Sequence, residues 1–407
     1  MKKTLWTKNF TLVTTASALG AVGGIAGGFA LSFLVFDETG STLASALIMA
    51  IQLVPYFILP LFLAPVMDRL PRKPFLVAGD IVDGVLYALM GFYLIKFEFS
   101  YAAYLGYSLL LACLGSFDEL AFQSIYPKLI PEGMEQQGYA VSTTLYPILR
   151  VLMLPLAGLL LDAVGAAWIL IGQGGLSLMA ALVESNIDVK EQRRGEKEKL
   201  FSLRQCCSDI REAAEYLKNE RGVTGIFSYM AVTNGVASGY SSILVAFFRT
   251  FPGFTAAMYS LFSVFEFAGR TLGGAVQYKL RLAKEKKFGF TFIVYQIYEL
   301  MDMCLLWLPY PLMLANRALV GFLGANSATM RQAAMQSYIP EKLRARLNAF
   351  QNMLITAASG VFTLAIGALG EVLDYRLCVT ICGATAFIAA WLLVWRRRSD
   401  VKRIFEK

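Results

Sequence analysis

The chain has 407 residues, of which 57% are hydrophobic and only 16% are charged. Soluble domains carry about 25% charged residues, so this composition excludes an ordinary soluble protein. The formal net charge is +8 and there is no histidine, so the side chain that most often titrates near neutral pH is missing.

Twelve long apolar segments follow one another along the chain. A helix needs about 20 residues to cross the ~30 Å hydrocarbon core, and continuous apolar runs without alternation favour helices over a membrane barrel. The predicted fold is therefore an all-α membrane protein with twelve transmembrane helices. Spans 1 to 12 are predicted at 11–36, 44–67, 75–95, 101–126, 140–164, 166–184, 223–248, 255–279, 288–308, 311–333, 347–369 and 377–395.

The distribution of basic residues predicts the orientation of these spans. With both termini in the cytoplasm, the outer loops hold only Lys96, Arg249 and Arg376, and four arginines lie inside spans. The other 30 of the 37 basic residues then lie on the cytoplasmic side, as the positive-inside rule requires. The net positive charge is thus a signal of topology and lipid headgroups, and it does not indicate a nucleic-acid partner.

Two loops recur along the chain at an offset of 209 residues. Pro131-Glu132 superimposes on Pro340-Glu341, and the loop after span 2 superimposes on the loop after span 8. One offset that serves both loops predicts two six-helix halves related as a parallel repeat. The predicted domains are 1–184, a cytoplasmic linker with an amphipathic helix at 185–222, and 223–407, which ends in a basic tail.

The loop between spans 2 and 3 reads APVMDRLPRK over residues 64–73. It resembles the G-x-x-x-D-R-x-x-R-K pattern of major facilitator superfamily transporters, with Ala64 in place of the glycine. The matching residues are Asp68, Arg69, Arg72 and Lys73. The resemblance implies a cytoplasmic gate at these four residues. It also implies two bundles that expose a central site alternately to each side.

Three shorter motifs resemble the macrolide-efflux and enterobactin-exporter branch of that superfamily. They are Thr39-Gly40-Ser41 after span 1, Gly79-Asp80 at the start of span 3, and the run from Pro340 to Asn348 before span 11. This resemblance implies proton-coupled efflux of a lipophilic or amphipathic small molecule, drug-like or siderophore-like. It also implies the inner membrane of a prokaryote and a monomeric protein.

Charged side chains inside the spans are candidates for a cavity or for coupling. Each costs about 2.5–3.5 kcal/mol at mid-bilayer, so each needs a partner or water. Arg150 lies about ten residues, or ~15 Å, into span 5. Spans 5 and 8 face each other in the resembled fold, so we expect Arg150 to pair with Glu266, or otherwise with Asp118 or Glu119. These charges either bind substrate, couple protons or latch the halves, or they form a static pair.

Other intramembrane charges have simpler predicted partners. Arg270 follows Glu266 by four residues, the spacing of an intrahelical pair. Glu299 and Asp302 in span 9, with Arg317 in span 10, are predicted to form a structural ion-pair group. Because no histidine is present, carboxylates alone can bind a coupling proton, and the candidates are Glu266, Asp118 and Glu119.

Polar residues in spans 3 and 7 complete the candidate list. Asp80 and Asp83, near the cytoplasmic start of span 3, are predicted to pair with Arg69 or Arg72, with a role in coupling as the alternative. Two residues of span 7 stand near mid-membrane and are candidates to line a substrate cavity: Asn234 and Tyr240.

The sequence argues against an enzyme and against a bound cofactor. Without histidine and with no clustered ligands, a zinc or haem site is not predicted. There is no G-x-x-x-x-G-K-[ST] run for nucleotide binding and no G-x-S-x-G nucleophile motif. The predicted partners are the bilayer, a small-molecule substrate and the proton. Uptake, lipid translocation or a membrane sensor that does not transport stay open as alternatives.

Overall fold

The computed structural model describes residues 4–67, 71–188, 211–212, 214–279 and 283–406. Within these ranges all regular structure is helical, which confirms the predicted all-α class. The predicted gate residues Asp68 and Arg69 and most of the predicted linker lie outside the described residues.

The helices follow the predicted spans closely. A continuous helical segment, Glu135–Ser185, is broken at Gly165, whose φ of 81° lies in the left-handed region that favours glycine. Its two parts are α5 (135–164) and α6 (166–185). The other helices are α1 (Lys8–Thr39), α2 (Thr42–Met67), α3 (Arg72–Lys96), α4 (Tyr101–Leu129), α7 (Arg221–Thr250), α8 (Ala256–Lys279), α9 (Lys284–Cys304), α10 (Tyr310–Tyr338), α11 (Glu341–Gly370), α12 (Tyr375–Ala389) and α13 (Arg398–Glu406).

Most of these helices are long and apolar enough to cross a membrane. Among the described residues, eight helical segments qualify by length and hydropathy, and one of them, Gln137–Ser185, contains both α5 and α6. The helices α2, α8 and α10 complete the set of twelve. A π-helical segment, Ala390–Trp395, extends α12, and the short amphipathic α13 follows it.

The described residues fall into two compact units. The N-terminal unit contains 4–40, 51–188 and 253–260. The C-terminal unit contains 41–50, 261–406 and the described part of 211–252. Each unit therefore includes a short segment from the other half of the sequence.

Glycines allow α3 and α6 to pack closely within the N-terminal unit. A Cβ atom added to Gly84 would lie 2.9 Å from the carbonyl oxygen of Gly174, and one added to Gly174 would lie 2.6 Å from the carbonyl oxygen of Gly84. Gly91 approaches the Ala167 carbonyl oxygen in the same way, at 2.6 Å. Small residues are the usual means by which membrane helices approach each other. This contact brings the polar residues of α3 beside α6.

In the C-terminal unit, the core joins α7, α9, α10, α11, α12 and α13. Aromatic rings of α9 and of the π-helical segment after α12 pack in it, with the centroids of Phe292 and Trp395 4.7 Å apart. The residues Val401, Ile404 and Phe405 bury the apolar face of α13 against this core. The amphipathic pattern of this short helix thus determines how it docks.

Candidate functional site

The N-terminal unit contains a cavity of about 590 Å³ with an acidic lining. Its walls come from α1, α3, α4, α5 and α6. Among the described residues it is lined by no lysine or arginine. Five carboxyl side chains line it: Asp80, Asp83, Asp118, Glu119 and Glu184. A cavity with this lining attracts protons and cations.

The shape of α3 places the Asp118 carboxylate in this group. A Cβ atom added to Gly79 would lie only 1.8 Å from Oδ1 of Asp118. A larger residue at position 79 could not coexist with this arrangement. Gly79 therefore makes the space in which Asp118 approaches Asp80, its neighbour in the cavity.

Two carboxyl groups of the cavity wall lie next to each other. The Asp80 side chain of α3 approaches the Glu184 side chain of α6. This approach gathers negative charge at one place in the cavity. Glu184 is buried, with 4% of its surface exposed. Its Oε2 atom and Oδ1 of Asp83 are buried and have no hydrogen-bond partner among the described residues.

Aromatic side chains form another part of the cavity wall. Phe122, Tyr126 and Tyr146 line it, and the rings of Phe122 and Tyr126 lie 5.0 Å apart. The Tyr126 hydroxyl donates to the Gly138 carbonyl oxygen at 2.7 Å, which fixes its ring. Aromatic faces attract organic cations. In the described part of the chain, no three His, Cys, Asp or Glu side chains are placed to hold a metal ion.

The predicted coupling residues of α4 and α5 have different surroundings. Asp118 and Glu119 both line the acidic cavity, and Glu119 accepts a hydrogen bond from Gln123. Arg150 of α5 is exposed and forms no ion pair within the described part of its own unit. The predicted pair of Arg150 with Glu266 would join the two units, and it stays a prediction.

The expected pairing of Asp80 and Asp83 with Arg69 or Arg72 stays a prediction, because Arg69 lies outside the described residues. In those residues, Asp80 approaches Glu184 of α6. Lys73 donates to the Ser185 carbonyl oxygen at 2.7 Å, which ties the start of α3 to the end of α6.

The structure also shows the two predicted pairs of the C-terminal unit. Arg270 and Glu266 form an intrahelical ion pair on α8, with Nη2 and Oε1 2.7 Å apart. Arg317 of α10 pairs with Asp302 of α9, as predicted. Both partners of this second pair are buried.

Further polar groups surround Arg317. Its Nη1 atom donates to the Tyr240 hydroxyl at 3.2 Å, and its Nη2 atom donates to Oδ1 of Asn316 at 3.1 Å. Tyr240, a candidate for contact with substrate, thus belongs to this network. The second candidate, Asn234, donates to the Met230 carbonyl oxygen of its own helix at 2.8 Å. Neither residue lines the acidic cavity, and their role in substrate binding stays a prediction.

Sequence reasoning missed Glu184 altogether. Its signal was a single acid at the end of an apolar span, which is typical of an ordinary helix end at the membrane surface. Only the close packing of α3 on α6 reveals its contact with Asp80. Asp80 and Asp83 both line the cavity, and their role in coupling stays a prediction.

A different carboxylate holds the first turn of α2 inside the C-terminal unit. Glu371, just after α11, accepts hydrogen bonds from the Ser41 hydroxyl at 2.7 Å and the Leu43 N–H at 2.8 Å. The Thr42 hydroxyl donates to the same oxygen at 3.1 Å. Slight burial raises the pKa of Glu371, but these hydrogen bonds outweigh it and hold the pKa below the ordinary value of 4.5.

Solved structures of transporters share this fold. The nucleoside transporter NupG has a TM-score of 0.70 at 11% identity, covering 94% of this chain and 98% of that one. A bacterial homologue of the human lysosomal transporter Spinster gives 0.64 at 12% identity, covering 98% and 94%. The fucose:proton symporter FucP of E. coli gives 0.53 at 16% identity, covering 95% and 98%. At these identities the likeness shows the fold alone.

The family match rests on the sequence itself. A family model described as the Major Facilitator Superfamily matches residues 11–297 and 300–406. No curated protein matches the chain significantly. The family match extends through nearly the whole chain, so the chain belongs to the Major Facilitator Superfamily of membrane transporters.

Proposed function

We propose that this chain is a secondary transporter that exports a lipophilic or amphipathic cation in exchange for protons. The observation that carries this proposal is the acidic cavity, in which five carboxyl groups and several aromatic rings line the wall and no described lysine or arginine does. Carboxylates attract a positive charge, and aromatic rings accommodate the apolar body of an organic cation. An anionic substrate would be repelled by the same lining.

Exchange follows when protons and substrate compete for the same carboxyl groups. Protonation of Asp118 and its neighbours removes the negative charge that holds a cation, so the cation is released. Loss of those protons to the opposite side restores the charge and allows another cation to bind. The approach of the Asp80 and Glu184 carboxyl groups supports this scheme, since it concentrates negative charge that protons or a cation can neutralise.

Export, rather than uptake, is supported by the motifs that resemble the macrolide-efflux and enterobactin-exporter branch. In this proposal both termini are cytoplasmic, the protein works as a monomer in a prokaryotic inner membrane, and two bundles alternate access to the site. The gate is assigned on the same resemblance to Asp68, Arg69, Arg72 and Lys73. The pair of Arg150 with Glu266 is retained as a proposed latch.

The test is flux in proteoliposomes with purified full-length protein. With an imposed pH gradient, tetraphenylphosphonium, a lipophilic cation, should move against its own concentration gradient while protons move in the opposite direction. Asp118→Asn should abolish this coupled movement, because the side chain keeps its shape and loses its titratable group. Movement of protons and cation in the same direction would indicate uptake and contradict the proposed exchange.

A matched control distinguishes the loss of a carboxylate in the cavity from the loss of a carboxylate elsewhere in the unit. Glu98→Gln removes a carboxylate from the N-terminal unit at an exposed position outside the cavity, and its flux should equal that of the unmodified protein. If Asp118→Asn still concentrates the cation under a pH gradient, the cavity is not the coupling site. If no lipophilic cation is moved by the unmodified protein, the substrate class is wrong.

A further inference from the structure

The C-terminal unit contains a second cavity, of about 800 Å³, whose lining is basic. It lies where the start of α7 meets the end of α12 and the start of α13. Four basic side chains line it: Lys218, Arg221, Arg396 and Arg397. One acid, Asp400, also lines it. The acidic cavity and its proposed transport role have no part in this site.

Close helix packing builds this pocket. A Cβ atom added to Gly222 would lie 2.7 Å from the Asp400 carbonyl oxygen, and one added to Gly225 would lie 2.5 Å from the Leu393 carbonyl oxygen. Arg397 donates to the Arg221 carbonyl oxygen at 3.3 Å. The π-helical segment Ala390–Trp395 falls at the same point, and such segments are frequent at functional sites. The pocket is therefore a fixed feature of the helix crossing.

Most basic side chains of the pocket have no ion-pair partner in the part of the chain that the structure describes. Among the described residues, the side chains of Lys218, Arg221 and Arg396 form no ion pair. The one lining acid, Asp400, lies 4.0 Å from Arg403, a fifth base outside the lining. The pocket thus has a strong positive potential that an anion would compensate.

One wall of the pocket continues into an apolar surface. Leu392 lines the pocket and is 56% exposed. Ile388 and Ile381 lie on the same side of α12 and are also exposed. In a membrane-spanning helix, such exposed apolar side chains contact lipid chains. The basic pocket therefore opens at the end of a lipid-facing stripe.

From this combination we infer that the pocket binds the phosphate group of an anionic phospholipid, whose acyl chains follow Leu392 and Ile388. Arginine and lysine recognise phosphate through charge-assisted hydrogen bonds, and basic pockets between membrane helices suit anionic headgroups. A free phosphate ion shares the headgroup chemistry but has no apolar part that could contact the apolar stripe. The lipid is the occupant that fits both parts of the site.

The experiment titrates purified full-length protein in a neutral detergent with dioctanoyl phosphatidylglycerol and follows bound lipid by native mass spectrometry. Two variants each remove two pocket charges: Arg396→Gln/Arg397→Gln and Lys218→Gln/Arg221→Gln. Each basic residue contributes roughly fivefold to anionic-lipid affinity, so each double variant should bind about 25-fold more weakly. The Lys218 and Arg221 side chains make no hydrogen bond among the described residues, so this second variant stays informative if the first does not fold.

A matched control removes two positive charges from the same end of the chain without touching the pocket. Arg398→Gln/Lys402→Gln changes residues outside the lining, and its affinity should stay within about twofold of the unmodified protein, because only pocket charges contact the headgroup. Dioctanoyl phosphatidylcholine, which carries the same chains and phosphate with no net charge, should bind weakly. Equal binding of the two lipids, or unchanged binding in both pocket variants, would overturn the inference.

Inorganic phosphate distinguishes the two sources of the anion. We expect it to displace phosphatidylglycerol only weakly, because it gains nothing from the apolar stripe. If phosphate alone displaces the lipid efficiently from the unmodified protein and fails to bind the pocket variants, the occupant is free phosphate and the lipid assignment is overturned.

Discussion

Each of the two units buries a polar cluster among membrane-spanning helices, and the two clusters differ in how their charge is balanced. In the C-terminal unit, Asp302 is paired with Arg317, and Tyr240 and Asn316 complete the network. In the N-terminal unit, carboxyl groups gather around a cavity that no lysine or arginine lines among the residues the structure describes. A cluster that carries its own counter-charge can be static, whereas a cluster of acids alone needs protons or cations from outside.

The difference has a consequence for what each cluster contributes. Arg317 is 2% exposed, and an unpaired charge in that position would destabilise the folded protein strongly. The pair therefore contributes to helix packing between α9 and α10. Asp118 has no such partner, so its removal costs little packing and mainly removes a titratable group. The two acids should respond to the same chemical change in opposite ways.

The largest expected effect tests this contrast directly. Asp302→Asn should lower the free energy of unfolding by about 3–5 kcal/mol, because Arg317 is left buried without its counter-charge. Asp118→Asn should leave stability unchanged or slightly raised, since it relieves repulsion among acids. Thermal unfolding of the purified proteins in detergent measures both. The contrast fails if the two variants unfold at the same temperature.

A double variant tests whether the unpaired charge of Arg317 causes this loss of stability. Asp302→Leu/Arg317→Met removes the pair together and should recover much of the loss in Asp302→Asn, because no unpaired charge remains. A double variant that is as unstable as the single one would mean that the loss reflects packing around α9 rather than the buried charge.

An intermediate effect is expected from the glycine that shapes the acidic cavity. Gly79→Ala would bring a Cβ atom to 1.8 Å from Oδ1 of Asp118, so the carboxyl group must move. The clashing atom ends a flexible side chain beside the cavity, so moving it should cost about 1 kcal/mol, and coupled cation flux should fall because Asp118 leaves its place beside Asp80.

Gly106→Ala is the matched control for this change. It lies on α4, and a Cβ atom there would meet nothing within 4 Å. Replacement of a helical glycine by alanine in open space should be neutral or favourable by up to about 1 kcal/mol. Full flux in Gly79→Ala would show that the position of Asp118 is not fixed by the shape of α3.

The sequence predicted the neutral cluster better than the acidic one. Asp302 and Arg317 carry opposite charges on consecutive helices, so a local rule was enough to pair them. The acidic cavity gathers residues of α3, α4 and α6, and its geometry depends on the glycine contact between Gly84 and Gly174. Such a contact leaves no periodic signal in hydropathy. The approach of Asp80 to Glu184 left no local signal in the sequence for the same reason.

The helices themselves were predictable because each span is long and apolar, and the break at Gly165 coincides with the predicted boundary between spans 5 and 6.

The inclusion of residues 41–50 in the C-terminal unit was not predictable. It depends on hydrogen bonds to Glu371 from Ser41 and its neighbours. Ser41 and Glu371 are 330 residues apart in the sequence. No local pattern reports a contact across that separation.

The smallest expected effect concerns Glu371, a third kind of carboxylate. Its negative charge is stabilised by hydrogen-bond donors and not by a basic side chain. Because Glu371 is exposed, its hydrogen bonds to the first turn of α2 should contribute less than about 1 kcal/mol. Glu371→Gln should lower the unfolding temperature slightly at neutral pH, since a neutral amide accepts these bonds more weakly. The Asp374→Asn variant, which alters a nearby acid that caps α12, serves as a control for surface charge.

The pH dependence gives this prediction its sign. The folded-state pKa of Glu371 lies below its ordinary value of 4.5, so the folded protein holds fewer protons at this group than the unfolded chain does. Its contribution is therefore complete above that ordinary value and is lost as the pH falls through the lowered pKa. The gap in unfolding temperature between the unmodified protein and Glu371→Gln should be constant around neutral pH and close on acidification below about pH 4. A gap that widens with acid would mean that these hydrogen bonds favour the protonated form of Glu371, so that folding would raise its pKa and not lower it.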